Sequence, residues 1–141
     1  MPSFEEILKM PGAEIKPPAA YPTGTYHCMV DGPPEVGKSS QKGTDYFRYK
    51  YKILSTYKDV DPVQAAEAQV VGKLIYTDYY VKDGITWRLV EMLVNCGIDP
   101  EQPLDQMIAA SPGKQLLVTL KHENSPDGKR VFHRVADTAQ V

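Results

Sequence analysis

The sequence predicts a mainly β fold of five short strands, with one helix between the third and the fourth. Three observations predict it. Apolar and polar residues alternate without a break from residue 45 to residue 54, as they do in a half-buried strand. Four other runs rich in β-branched and aromatic residues are bounded by Gly, Pro, Asn or Asp. Only residues 85–98 carry apolar side chains at helical spacing over several turns. The chain of 141 residues is long enough for one domain.

A short N-terminal extension, residues 1–20, is expected to precede the domain, which then spans residues 21–141. Ser3 is placed to cap a helix, and Glu6 follows three residues later as its capping-box partner. The Pro-Gly pair after this run ends the helix, and the proline-rich remainder of the extension predicts an extended lead-in.

The second predicted strand, residues 45–54, has two distinct faces. A first strand at 25–31 and a long polar loop at 31–44 precede it. One face is expected to fill the core and carries Phe47, Tyr49, Tyr51 and Ile53. The other face is expected to meet solvent or a ligand and carries Tyr46, Arg48, Lys50 and Lys52. If the two faces are reversed, Phe47 and Tyr49 become the exposed rings.

The remaining elements are predicted in the following order: a helical turn after Pro62, the third strand at 71–81, the helix at 85–98, one turn at 104–109, and the last two strands at 115–123 and 131–137. Thr86 is placed to cap the helix and Gly97 to end it. Three strands, a helix and two strands is the order of the OB-fold, a five-stranded, partly open barrel. That fold often binds oligonucleotides on its second and third strands and on the loops beside them.

Positive charge is concentrated in one stretch, residues 36–58. This stretch holds six of the sixteen basic residues and one of the eighteen acidic ones, a net charge of +5, in a chain whose overall charge is −2. It also holds four of the nine tyrosines. Single-stranded nucleic acid requires this combination, because cations track the phosphates and flat rings stack on unpaired bases. The alternative is a solvated strand whose tyrosines pack in the core.

Eight side chains are therefore candidates for binding nucleic acid. Six would neutralise phosphates: Lys38, Lys42, Arg48, Lys50, Lys52 and Lys73. Two would stack on bases: Tyr46 and Tyr79, the latter on a predicted strand face shared with Lys73. Asp78 lies on the other face of that strand, with no role that the pattern explains. Trp87, near the helix start, is expected to pack against the barrel rather than to stack on a base.

Catalytic and cofactor sites find little support in the sequence. The run GPPEVGKS, residues 32–39, matches the phosphate-binding P-loop pattern, but no βα units surround it. His27, His122 and His133 have no metal-ligand spacing with one another or with Cys28 and Cys96. We therefore expect no enzyme, no cofactor and no metal. The two separated cysteines and the lack of a leader or a membrane span predict an intracellular, cytoplasmic protein.

Several motifs in series carry a family resemblance. Residues 22–54 begin with Pro-x-Gly-x-Tyr, continue through a Lys/Ser/Gly loop and end in an aromatic strand. Later come Gly72-Lys73, a helix with Trp-x-Leu that ends at Gly97 to Pro100, and a Gly-Lys-x-Leu-x-Val-x-Leu strand at 113–120. Over residues 20–137 the chain resembles small phage-encoded OB-fold single-stranded DNA-binding proteins. The resemblance implies sequence-independent binding of single-stranded DNA in replication, recombination or repair.

The partners that follow are single-stranded DNA, replication or recombination proteins, and further copies of the chain. The alternative is an OB-fold interaction protein that grips a replication or recombination enzyme, or a host protein, without touching nucleic acid. A nucleotide-dependent enzyme that uses GPPEVGKS is the third hypothesis.

Overall fold

The computed structural model of this chain describes residues 3–12, 20–82 and 84–141. The predicted lead-in around Pro17 and Pro18 and the middle residue of the predicted turn at 82–84 lie outside the described residues. Within them the chain forms a mainly antiparallel β structure with short helices at its margins. The expected mainly β fold is therefore confirmed.

The described residues contain six strands and four helices. The strands are β1 (Gly24–Val30), β2 (Glu35–Lys38), β3 (Asp45–Thr56), β4 (Leu74–Tyr80), β5 (Gln115–Asn124) and β6 (Val131–Ala139). The helices are α1 (Phe4–Lys9), α2 (Pro62–Ala68), α3 (Trp87–Asn95) and α4 (Leu104–Ala110). The helical turns expected after Pro62 and near residue 104 are α2 and α4, and the main helix lies between the third and fourth predicted strands, as expected.

One strand, β2, lies where the sequence predicts only a polar loop. Its backbone pairs with β3, with Glu35 opposite Arg48 and Lys38 opposite Asp45. The hairpin between the two strands is closed by the Ser39 amide, which donates to the Thr44 carbonyl at 2.9 Å. The predicted number of five strands is therefore wrong, because a strand of four residues just after two prolines has no alternation long enough to reveal it.

β3 is the strand that pairs with the most others, three in all. β4 pairs with one edge of it, and β1 and β2 pair with successive segments of the other edge. Between these two segments the Asp31 amide donates to the Lys50 carbonyl at 2.8 Å. The free edge of β1 pairs with β5, and β5 pairs with β6, so the path through the sheet is β4-β3-β1-β5-β6. Within the described residues β4 and β6 do not pair, and the sheet remains open between them.

The core lies on one face of this curved path. β3 contributes Tyr49, Tyr51 and Ile53, each fully buried, which confirms the predicted inner face of that strand. β1 and β5 add alternate apolar residues from Tyr26 to Val30 and from Leu116 to Leu120, and α3 covers the core with Leu89, Met92 and Leu93. Apolar burial of this kind stabilises by about 25 cal/mol per Å². The side chains at alternate β3 positions are consequently left on the outside.

Contacts of the Tyr21 side chain, rather than a backbone ladder, bridge the gap between β4 and β6, and α3 contacts β6 further along. The ring of Tyr21 stacks on His133 of β6 with centroids 4.2 Å apart, and its hydroxyl donates to the Leu74 carbonyl of β4 at 3.2 Å. Further along, the Asn95 side-chain amide of α3 donates to the Thr138 carbonyl of β6 at 3.1 Å. The opening between β4 and β6, which we call the seam, is thus closed at one end by Tyr21.

Candidate functional site

The outer face of β3 and β4 carries a ladder of aromatic and charged side chains. Residues directly opposite each other in an antiparallel pair share a face. The register sets Tyr46 opposite Tyr80, Arg48 opposite Asp78, and Lys50 opposite Tyr76. The predicted outer face of β3 is therefore joined by alternate residues of β4. Together they form a surface of rings and charges outside the core.

A groove of about 570 Å³ lies at one end of this face. It runs between the β2–β3 hairpin and the segment that leads into α3. Its walls include four basic and two aromatic side chains: Lys38, Lys42, Arg48, Lys82, Tyr46 and Tyr80. We call this feature the β3/β4 groove. Four of the predicted binding residues (Lys38, Lys42, Tyr46 and Arg48) line it together, although the hairpin and the strand contribute them separately.

Tyr46 is held in the groove by its neighbours on both sides. Its ring lies 5.6 Å from that of Tyr80, tilted by 60°. On the other side it crosses the backbone of Gly37, where a Cβ atom would stand only 2.5 Å from the Tyr46 Cζ and Oη atoms. Glycine is therefore required at position 37 for the ring to lie as it does. The pair of tyrosines presents aromatic surface, with Tyr80 39% exposed.

Two of the basic side chains in the groove already have acidic partners. Arg48 donates from Nε to Asp78 Oδ1 at 2.8 Å and from Nη2 to Asp78 Oδ2 at 3.1 Å. The hydrogen bond and charge of Asp78 raise the pKa of Arg48 above its ordinary value. Lys38 Nζ lies 3.2 Å from Asp45 Oδ1, with both side chains largely exposed. An incoming phosphate must therefore compete with carboxylates at these two positions.

Lys50 and Lys52 lie on the same face of β3, further along the strand and outside the walls of the groove. Lys73 lies apart from this face. Its ammonium group donates to the Ala68 carbonyl at 2.6 Å, where it caps the last turn of α2. Of the predicted phosphate contacts, these three thus lie outside the groove that Lys38, Lys42 and Arg48 line.

Tyr79 lies on the core face of β4 and outside the walls of the β3/β4 groove. The register sets it opposite Phe47, and its hydroxyl is 2.7 Å from that of buried Tyr51. Burial raises the pKa of the Tyr79 phenol above its ordinary value. The ring also meets Tyr49 edge-on at 5.8 Å. Tyr79 therefore packs against the core, and it also lines a second cavity between β4 and β6.

The outer face of β3 and β4 also contains residues that were not predicted as binding residues. Tyr76, Asp78 and Tyr80 occupy alternate positions of β4 in the run YTDYY, where both sets of alternate residues contain tyrosine, so the pattern did not identify them. Lys82 follows just after the strand. Trp87 is 56% exposed at the start of α3, so the expectation that it packs against the barrel is also wrong.

The P-loop pattern has no P-loop structure. Gly37 and Lys38 belong to β2, and Ser39 opens the hairpin, so no helix begins at the Lys-Ser pair as phosphate binding there requires. Within residues 3–12, 20–82 and 84–141, no cluster of three His, Cys, Asp or Glu side chains is arranged to hold a metal ion. Both cysteines are free and buried, and burial raises the pKa of the Cys28 thiol to about 12 and that of Cys96 to about 11.

None of the helices in the described part of the chain is long and apolar enough to cross a membrane. Comparison with models of known protein families gives no match, and comparison with curated proteins gives none either.

Proposed function

We propose that this chain is an OB-fold protein that binds single-stranded DNA, without sequence preference, in the β3/β4 groove. The observation that carries the proposal is the convergence in one groove of two tyrosine rings with four basic side chains from the hairpin, β3 and the segment after β4. Rings supply stacking that every base accepts, and the cations attract a backbone of any sequence. The resemblance to phage-encoded single-strand binders is consistent with a role in DNA replication, recombination or repair.

The strand pairing supports the OB-fold. β1 and β2 together occupy one edge of β3, so they act as a single long first strand that is interrupted at residues 31–34. Counted in this way, the first strand pairs with the second and the fourth, the second pairs with the third, and the fourth pairs with the fifth. A helix lies between the third and fourth. A partly open barrel of this order binds oligonucleotides on its second and third strands, which are β3 and β4 here.

The unpaired lysines are the sharpest probes of the groove. Among the described residues, Lys42 and Lys82 take part in no ion pair. Fluorescence anisotropy with a labelled oligo-dT of about 30 nucleotides, titrated at about 50 and 200 mM salt, measures the affinity and its salt dependence. Replacing Lys42 and Lys82 by Ala is expected to lower the slope of log K against log salt by about 1.4, which is about 0.7 for each lost phosphate contact.

The control is a second double variant, Lys58→Ala with Lys114→Ala, which removes the same charge from exposed positions outside the groove. It should bind like the wild type, and duplex DNA of equal length should fail to compete. Equal effects of the two double variants would mean that net charge alone drives binding. No binding to the oligonucleotide at about 50 mM salt would overturn the proposal.

A protein partner is the second candidate, and the ion pairs favour it. Arg48 and Lys38, two of the four basic side chains in the groove, are already engaged by carboxylates, and the whole chain is acidic by two charges. The same rings would then pack against a protein surface, since aromatic residues are enriched in interfaces. Complex formation that is insensitive to salt, in a protein that binds no oligonucleotide, would support this candidate.

A further inference from the structure

Trp87 presents an exposed indole beside the β3/β4 groove. It is the one tryptophan of the chain, it begins α3, and 56% of its surface is open. The guanidinium carbon of Arg88 stands 5.5 Å from the ring centroid. The cation–π contact with Arg88 orients the exposed ring, whose open face is then available for stacking.

Trp87 lines a second cleft of about 550 Å³ at the open end of the seam, which we call the seam cleft. One wall is the end of β4, the other is β6 from Val135 to Thr138, and Trp87 and Arg88 form the rim at α3. Asp78, Tyr80 and Ile85 line both this cleft and the β3/β4 groove. The two cavities therefore adjoin at these three residues, and a chain that leaves the groove past Ile85 would reach the indole without crossing the core.

The charges in the seam cleft select which part of a nucleotide enters it. Asp78, Glu91 and Asp137 line the cleft; Asp78 is paired with Arg48, and Arg88 is the one basic side chain among the lining residues. The carboxylates of Glu91 and Asp137 would repel a phosphate that entered the cleft. A neutral base is not repelled, and its flat face fits an exposed indole. The phosphates would remain in the groove, where Lys42 and Lys82 lie.

We propose that the seam cleft holds one base at an end of the bound single strand, stacked on Trp87. This inference rests on the proposed binding of single-stranded DNA in the β3/β4 groove. It adds a base subsite that lies off the β3/β4 face, and it fixes one end of the path of the strand. Arg88 positions the indole, and Trp87 is the residue in contact with the base.

The experiment follows the fluorescence of Trp87, which reports on this cleft alone. Oligo-dT of about 16 nucleotides, the upper site size of a single OB domain, is added to the whole chain and the tryptophan emission is recorded. Two modified oligonucleotides carry abasic residues, which keep the phosphates and remove the bases, at the 5′ end or at the 3′ end. We expect quenching with the unmodified strand, and loss of quenching with only one of the abasic strands.

Affinity gives an independent readout. Trp87→Ala should weaken binding of the unmodified strand about tenfold, within the range measured for loss of one base–aromatic stack. It should not weaken binding of the abasic strand that had lost its quenching, because the same contact is already missing. Trp87→Phe should restore most of the affinity. Tyr57→Ala, a change at an exposed ring outside the two cavities, should leave affinity unchanged.

The outcomes separate this inference from the function on which it rests. If oligo-dT binds and depends on Lys42 and Lys82, but tryptophan emission and the affinity of Trp87→Ala are unchanged, the seam subsite is wrong and the groove stands. If both abasic strands still quench Trp87, a phosphate and not a base occupies the cleft, and the inference is overturned. If no oligonucleotide binds at all, both proposals fail.

Discussion

Asp78→Asn tests whether a bound strand meets the ion pair in the β3/β4 groove. In the structure both carboxylate oxygens of Asp78 accept hydrogen bonds from Arg48, at 2.8 and 3.1 Å. The arginine is therefore neutralised before any phosphate arrives. The substitution removes the negative charge, keeps the size of the side chain and leaves one oxygen that accepts from Arg48. We expect it to turn a paired cation into a phosphate contact.

The magnitude follows from counterion release. One added phosphate contact steepens the slope of log K against log salt by about 0.7. This contribution vanishes at about 1 M salt. The variant should therefore bind about eightfold more tightly than the wild type at about 50 mM salt, and about threefold more tightly at about 200 mM. Anisotropy titrations with oligo-dT at several salt concentrations measure both quantities.

Two comparisons make the Asp78→Asn result decisive. Glu67→Gln removes one negative charge from α2, outside the groove, and should leave the salt slope unchanged. Arg48→Ala leaves Asp78 without its partner and should weaken binding, whereas the double variant with Asp78→Asn should return to the wild-type slope. An unchanged slope and affinity in folded Asp78→Asn protein would refute the claim that the strand passes over this pair.

Three further predictions concern the ring in the groove, the core and the seam. Gly37→Ala brings a methyl group against the Tyr46 ring, which must turn away; binding should weaken about tenfold through lost stacking with no change in salt slope. Tyr51→Phe leaves the buried Tyr79 hydroxyl without its partner and should lower the free energy of unfolding by about 1–3 kcal/mol in urea titrations, whereas the double Phe variant should lose less. Burial and the neighbouring His122 of β5 lower the pKa of His133 from its ordinary value, so at slightly acidic pH the unfolded chain binds more protons than the folded one. The melting temperature should therefore fall as the pH drops from about 7 through the folded-state pKa, and His133→Gln should flatten this dependence.

The faces of β3 could be predicted from the sequence, but those of β4 could not. In β3 one set of alternate residues is charged, so the other set must be the buried one, as Tyr49 and Tyr51 are. In β4 each of the two sets of alternate residues contains an aliphatic residue and a tyrosine. One set includes Leu74 and Tyr76, and the other includes Ile75 and Tyr79. Alternation within the strand was predicted correctly, but it does not say which set is buried.

The sequence also does not reveal the register in which β4 pairs with β3. The pairing of Arg48 with Asp78 depends on which residue of β4 lies opposite each residue of β3, and a shift by one residue would have brought Tyr79 to the outer face. No local pattern fixes that register. It is set by the packing of Tyr51 and Ile75 in a core built from the whole chain. The role of Asp78 as the partner of Arg48 is therefore visible only from the pairing of β3 with β4.

The ion pairs in the groove give two alternative expectations for the salt dependence of the proposed binding. Of the four basic side chains in the groove, Lys42 and Lys82 form no ion pair within the described residues, whereas Lys38 and Arg48 do. Two phosphate contacts give a slope of about −1.4, and four give about −2.8. A wild-type slope near −1.4 means that the carboxylates keep their partners in the complex and that stacking supplies most of the affinity. A slope near −2.8 means that the strand displaces them, and Asp78→Asn would then raise affinity without steepening the slope.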